Sequence, residues 1–178
     1  MLSRRQGLLL AATWFALDQM TKLWAVSGAL DRPLTLIPHV LRFSLGYNRG
    51  ALFGFLADFP DPYRSLVLVA VPLAAMGMIG ILLVRSPSGP WTPALALMLG
   101  GAAGNLLDRL VHGRVTDFID VHAGWQPVSD WLLRTLGTNS WPTFNVADIG
   151  LTCGTALMIY ASLHASSPKE DSRAPLPD

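Results

Sequence analysis

Five acids and two bases of this 178-residue chain stand inside or at the ends of strongly apolar stretches: Asp18 and Lys22, Asp108 and Arg109, Asp117 and Asp120, and Asp148. Charge in or beside a hydrocarbon layer is costly and marks a pathway or an active site, so chemistry is sought there first. Two carboxylates brought together where water is scarce cannot both ionise cheaply, and one is driven to hold a proton. The ionised member of such a pair can activate water while the other protonates a carbonyl, which is aspartic peptidase chemistry. Each acid taken alone also has a structural role open to it. Asp148 could favour a helix N-terminus, Asp117 and Asp120 could be solvated loop charges, and Asp108 could pair with Arg109 or Arg114. Other chemistries have weaker support: there is no G-x-S-x-G turn, the four His residues are scattered, and Cys153 has no zinc-ligand spacing around it.

The elements that must position these acids follow from composition. Hydrophobic residues make up 51% of the chain and charged residues 14%, too apolar for an ordinary soluble domain. Four windows fit membrane spans of roughly 20 residues: Gly7 to Val26, Leu66 to Val84, Pro93 to Gly113 and Ala147 to His164. These predict a single membrane domain over residues 1–165 and a disordered cytoplasmic tail over 166–178. Arg4-Arg5 and the apolar run behind them resemble a secretory leader, but Asp18, Gln19, Thr21 and Lys22 interrupt that run. A retained helix with an Asp18–Lys22 pair at i,i+4 is expected instead. The net charge of +1, without a basic cluster, argues against a nucleic-acid partner.

Within this frame Gly100 and Gly104, and likewise Gly101 and Asn105, stand four apart on the third helix, where another backbone can approach closely. Leu34-Thr35-Leu36 and Arg42-Phe43-Ser44-Leu45 alternate as strands do and predict a small twisted sheet at the membrane surface. Ser129 is expected to cap a short interfacial helix through Trp131, Leu133 and Leu136, closed by Gly137. Asn145 is expected to cap the fourth helix, with Asp148 in its first turn. Basic residues are densest in the short pieces around Arg4, Arg85 and Lys169, which places both termini in the cytoplasm and both long segments outside. Asp18, Lys22, Asn105, Asp108, Arg109, Asp117 and Asp148 then gather near the outer face.

Five stretches in order resemble the successive motifs of the lipoprotein signal peptidase (signal peptidase II) family: Asp18-Gln19-Met20-Thr21-Lys22; Asn48-Arg49-Gly50-Ala51-Leu52-Phe53-Gly54; Gly104-Asn105-Leu106-Leu107-Asp108-Arg109; Val115-Thr116-Asp117-Phe118-Ile119; and Phe144-Asn145-Val146-Ala147-Asp148. The resemblance implies an aspartyl endopeptidase of the bacterial inner membrane, built from four transmembrane helices with a small extracytoplasmic β cradle; a monomer is expected. Such an enzyme cuts diacylglyceryl-modified prolipoproteins just before the lipidated cysteine, needs no metal or organic cofactor, and is the target of globomycin. By the same resemblance Asp117 and Asp148 are the catalytic pair. Asn48, Asn105, Arg109 and Asn145 support substrate and pair, while Asp18, Lys22 and Asp108 hold the architecture; Asp120 is read as a solvated neighbour. Two departures stand out. Arg49 occupies a position where a small polar residue is expected, and the segment between the two acids is long enough for its Trp125 to Trp141 portion to form an enlarged flap. A small proton-coupled transporter, with Asp18, Asp108 and Asp148 as relay groups, is the alternative, although neither internal repeats nor midplane binding groups are visible.

Overall fold

The structure is a computed structural model and describes residues 2–49, 60–85 and 88–165. The Gly50 to Gly54 part of the second motif, Ser86-Pro87 and the tail from Ser166 lie outside the described residues. Helix α1 (Arg4–Trp24) opens on a capping box in which Ser3 and Gln6 bond each other's backbone, and it runs into a π-helical turn at Ala25–Ala29. Strands β1 (Leu34–Ile37) and β2 (Leu41–Asn48) follow, then helices α2 (Asp61–Arg85) and α3 (Trp91–His112). Strand β3 (Val115–Val121), helix α4 (Val128–Leu136) and helix α5 (Val146–Ala165) complete the described chain.

Among the described residues three helices are long and apolar enough to cross a membrane: Tyr63–Arg85, Trp91–His112 and Val146–His164. Helix α1 matches the first expected window, Gly7 to Val26, in position and has 21 residues, but Arg4, Arg5, Asp18 and Lys22 lower its hydropathy. Helix α3 is central and packs against α1, α2 and α5. Its glycines make this possible by facing two ways. A Cβ on Gly104 would meet the Asp18 carboxylate, one on Gly100 would meet the Ala11 carbonyl, and one on Gly101 would meet the Ala147 carbonyl. Helix α2 is different: only 11% of its span is buried, so most of its apolar side chains face outward, as a lipid-facing helix requires.

The sheet is antiparallel with order β1-β2-β3. The first two strands fall where alternation predicts them. The third falls on a motif for which alternation predicts no strand, because β3 is covered on both faces: Val115, Thr116, Asp117, Phe118 and Asp120 are all buried. A strand buried on both faces loses the period of two. Phe118 closes a cluster with Phe43 and Trp24, whose rings meet edge to face with centroids 5.7 and 6.2 Å away, and this fastens the sheet to the end of α1. Helix α4 forms as expected, but Ser129 does not cap it. Pro127 holds that position, and the buried Ser129 Oγ accepts instead from Asn139 Nδ2 at 2.8 Å.

The Asp18 carboxylate is pinned from two sides and cannot yield to an added methyl group. Gly104→Ala is therefore expected to destabilise the protein by about 1–3 kcal/mol in a detergent melt. Gly80→Ala on α2, where a Cβ meets nothing within 4 Å, should be neutral or slightly stabilising. Equal melting temperatures for the two variants would contradict the close packing of α1 on α3.

Candidate active site

Sheet edge and helix start bring the first carboxylates together. Residues before α5 run antiparallel to the free edge of β3, with Ile119 paired to Phe144 and His122 to Ser140. In that direction the residue after Phe144 falls beside the residues before Ile119, so Asn145 meets Asp117. The Asn145 side chain is fully buried and its Nδ2 donates to Asp117 Oδ1 at 2.7 Å, to the Thr116 carbonyl at 3.2 Å and to Asn105 Oδ1 at 3.1 Å.

Asn145 is also the N-cap of α5. Its Oδ1 accepts from the Asp148 N–H at 3.1 Å, and its own N–H donates to Asp148 Oδ2 at 3.1 Å, a reciprocal cap. The other oxygen of Asp148 accepts from Asn105 Nδ2 at 2.8 Å. One residue thus holds Asp117 by its side chain and Asp148 by its backbone. Burial and the nearby Asp148 carboxylate push the Asp117 carboxyl up to about 7, against the lowering effect of hydrogen bonds from Asn145 and Asn48. Asn48 ends β2 opposite Val115, and Arg109, half-buried on α3, lies in the field of Asp148, Asp117 and Asp108.

A second group of charges lies deeper. Lys22 Nζ has three donors and finds three buried acceptors: Asp18 Oδ2 at 2.9 Å, Asn105 Oδ1 at 2.9 Å and Asp108 Oδ2 at 3.2 Å. Asp108 thus pairs with Lys22, whereas the sequence reading offered it Arg109 or Arg114. Its Oδ2 also accepts from the Thr116 N–H at 2.8 Å, which fixes the start of β3. Asp18 Oδ1 accepts from the Ala147 N–H at 2.8 Å, placing its charge at the N-terminus of α5. Gln19 and Trp14, which the sequence reading did not single out as site residues, add bonds to Asp18, to the Gly104 carbonyl and to the Val146 carbonyl. Gln19 stands inside the first motif, which was the available signal. Nothing local to Trp14 announces its partner.

Asp120 corrects the sequence reading. It is 5% exposed, not solvated, and its Oδ2 accepts from Arg42 Nε at 2.6 Å. Arg42 and Asp120 are directly opposed on β2 and β3, so they share a face. Three residues from Asp117 along a strand, Asp120 points to the other side of the sheet. Arg49 is exposed at the end of β2. The long segment after β3 is closed at its base by bonds from the Trp141 N–H to the Val121 carbonyl and from the Ala123 N–H to the Asn139 carbonyl, both 2.8 Å. Among the described residues no three His, Cys, Asp or Glu side chains are grouped as a metal ion would need.

The chain and its mostly helical fold have relatives. The family profile described as "Signal peptidase (SPase) II" matches residues 10–164. The chain belongs to the signal peptidase II family. It is 34% identical over 166 residues to the lipoprotein signal peptidase of Xanthomonas axonopodis pv. citri (strain 306), covering 92% of this chain and 88% of that protein. It is also 34% identical over 169 residues to the lipoprotein signal peptidase of Xylella fastidiosa (strain 9a5c), covering 91% and 92%. A bacterial membrane enzyme solved by the in meso method at 2.3 Å resolution superposes with a TM-score of 0.73 and 26% identity, over 95% of this chain and 94% of that one. Membership makes the chain a membrane protease and leaves the transporter reading without support.

The raised Asp117 carboxyl has a consequence for stability in this family member. Between pH about 4, where an unfolded aspartate titrates, and about 7, the folded state holds the extra proton, so stability falls as pH rises and levels off above 7. Asp117→Asn removes this cost. In detergent it is expected to be more stable than wild type at pH 8, by on the order of a few kcal/mol and with a higher melting temperature, the gap closing toward pH 4. A gap independent of pH would show that the Asp117 carboxyl is not raised.

Proposed function

We propose that this protein is an aspartic endopeptidase that removes signal peptides from prolipoproteins, cutting before the diacylglyceryl-modified cysteine, with Asp117 and Asp148 as its catalytic pair. The observation that carries the reading is the bridging of both carboxyl groups by Asn145. In the resting site the pair holds one proton on Asp117, whose carboxyl is pushed up to about 7. Asp148 takes a proton from water as the water oxygen attacks the scissile carbonyl carbon, and Asp117 donates its proton to the carbonyl oxygen. The resulting diol collapses when Asp117 takes back that proton and the proton on Asp148 passes to the leaving amine. The C–N bond breaks, giving the carboxyl end of the signal peptide and the free amino group of the cysteine. Asn105 and Asn145 hold the pair, and Asn48 and Arg109 flank it and support the substrate. Asp18, Lys22 and Asp108 keep the helices in register.

The reading places α1 beside the three apolar helices as a fourth span. Its 21 residues are long enough, at about 31 Å, and its buried charges face α3 and α5 rather than lipid. The residues 1–165 then form one membrane domain of the bacterial inner membrane, with cytoplasmic termini and with the carboxyl pair and sheet at the outer leaflet. A lipid-anchored substrate is confined to that depth, so anchorage supplies much of the positioning that the reaction needs.

Cleavage of a diacylglyceryl-modified prolipoprotein by the purified protein, sensitive to globomycin, is the expected result. Asp117→Asn and Asp148→Asn should each lower turnover by about 100-fold or more while remaining folded. Asp120→Asn, on the other face of β3, should keep cleaving, and substantial turnover by either of the first two variants would refute the assignment. Because Asp117 must hold its proton, kcat/KM should decline on the alkaline side with an apparent pKa of about 7.

A further inference from the structure

Helix α1 reaches the start of α5 with two side chains one turn apart, and both end on the same peptide group. Trp14 Nε1 donates to the Val146 carbonyl at 3.1 Å, and Asp18 Oδ1 accepts from the Ala147 N–H at 2.8 Å. The carbonyl and the N–H of a trans peptide point in opposite directions, so this plane is gripped at both of its poles. The two helices run antiparallel there, with Asp18 nearer the start of α5 and Trp14 about a turn further along it, against Gly150. Neither grip has room to move. A Cβ on Gly150 would strike the Trp14 indole, and one on Gly100 would press on Trp14 Cβ at 3.0 Å, so a glycine of α5 and a glycine of α3 together make the slot that holds the ring. Asp18 is fully buried, and its second oxygen is held by Lys22 and Gln19.

The gripped plane lies directly ahead of Asp148. Only the two soft dihedrals of Ala147, itself fully buried, separate it from the peptide plane of Asp148. Asn145 and Asn105 hold the Asp148 carboxyl group, and the grip from α1 holds the backbone that carries it. We propose that Trp14 is a positioning residue for the peptidase reaction: with Asp18 it clamps the Val146–Ala147 peptide group and so sets the place of the Asp148 carboxyl. The proposal rests on the reading of Asp148 as a member of the catalytic pair. Trp14 stands outside the five motif stretches, four residues before Asp18. A displacement of the reacting groups by as little as about 1 Å lowers a rate by up to about 100-fold, so a clamp one residue away from a catalytic acid acts on turnover rather than on substrate affinity.

The test is a double-variant cycle read by steady-state cleavage of a diacylglyceryl-modified prolipoprotein and by a melt in the same detergent. Trp14→Phe keeps a ring in the slot and removes the N–H; kcat should fall about tenfold with KM unchanged and the fold retained. Gly150→Ala displaces the indole and should lower both kcat and the melting temperature. In the double variant the smaller ring leaves space for the methyl group, so the melting temperature should recover toward wild type while kcat stays as low as in Trp14→Phe. Recovery of kcat along with the melting temperature would make Trp14 a packing residue and overturn the proposal. So would an undiminished kcat in Trp14→Phe, or a raised KM with kcat unchanged. Hydrogen exchange supplies a readout independent of turnover, and it decides the matter together with Trp14→Phe if Gly150→Ala does not fold. Trp14→Phe should speed exchange of the amides from Ala147 to Gly150 about tenfold, and unchanged exchange would overturn the clamp. Absence of cleavage by wild type, with exchange still faster in Trp14→Phe, would instead sink the peptidase reading and the positioning role with it, leaving the clamp as a structural bond.

Discussion

The Lys22 ammonium has three N–H donors, and the fold supplies three buried acceptors from two helices. An unpaired charge at that depth would cost several kcal/mol, so α1 and α3 have no comparably cheap arrangement in which these groups separate. The constraint spreads outward from there. Asp18 binds Lys22 with one oxygen and caps α5 with the other, while Asp108 binds Lys22 and the first residues of β3 with the same oxygen. Three helices and a strand are thereby fixed in register by one cation.

Such a network needs backbones close enough for short side chains to reach across, and the glycines of α3 provide the distance. Gly104 leaves room for the Asp18 carboxylate itself, and Gly101 for the first turn of α5. Between apolar helices the hydrophobic effect supplies little discrimination, so close approach and buried polar bonds decide which faces meet. The two features depend on each other: without the glycines Asp18 would not reach Ala147, and without Lys22 the space beside Gly104 would hold an uncompensated acid.

The acids of this protein divide by their partners. Asp18 and Asp108 face a cation, and Asp120 faces Arg42. Asp117 and Asp148 are held by neutral amides of Asn145 and Asn105, which orient a carboxyl group without fixing its charge. Burial, with the Asp148 carboxylate, then outweighs the amide hydrogen bonds and the Lys22 charge at Asp117 and pushes its carboxyl up to about 7. That is the condition for two neighbouring acids to share a proton, and it singles out the pair proposed to do the chemistry.

Much of this was legible in the chain itself. Hydropathy located the helices, the four-residue spacing of Gly100 and Gly104 marked the packing face, the Asp18–Lys22 pair was visible at i,i+4, and Asn145 was recognisable as the cap of the last helix. These features are local, and helical or capping geometry follows from a few neighbouring residues. Strand β3 was hidden because cover on both faces erases alternation, and Ser129 was misread because Asn139 competes for its hydroxyl. The same limit explains Asp120 and Asp108. Whether an acid is solvated, paired with an arginine or paired with Lys22 depends on contacts such as that between Asp18 and Ala147, 129 residues apart. Local spacing therefore determined the helices and the set of candidate acids, while the tertiary structure alone decided which acids face a cation and which are left to share a proton.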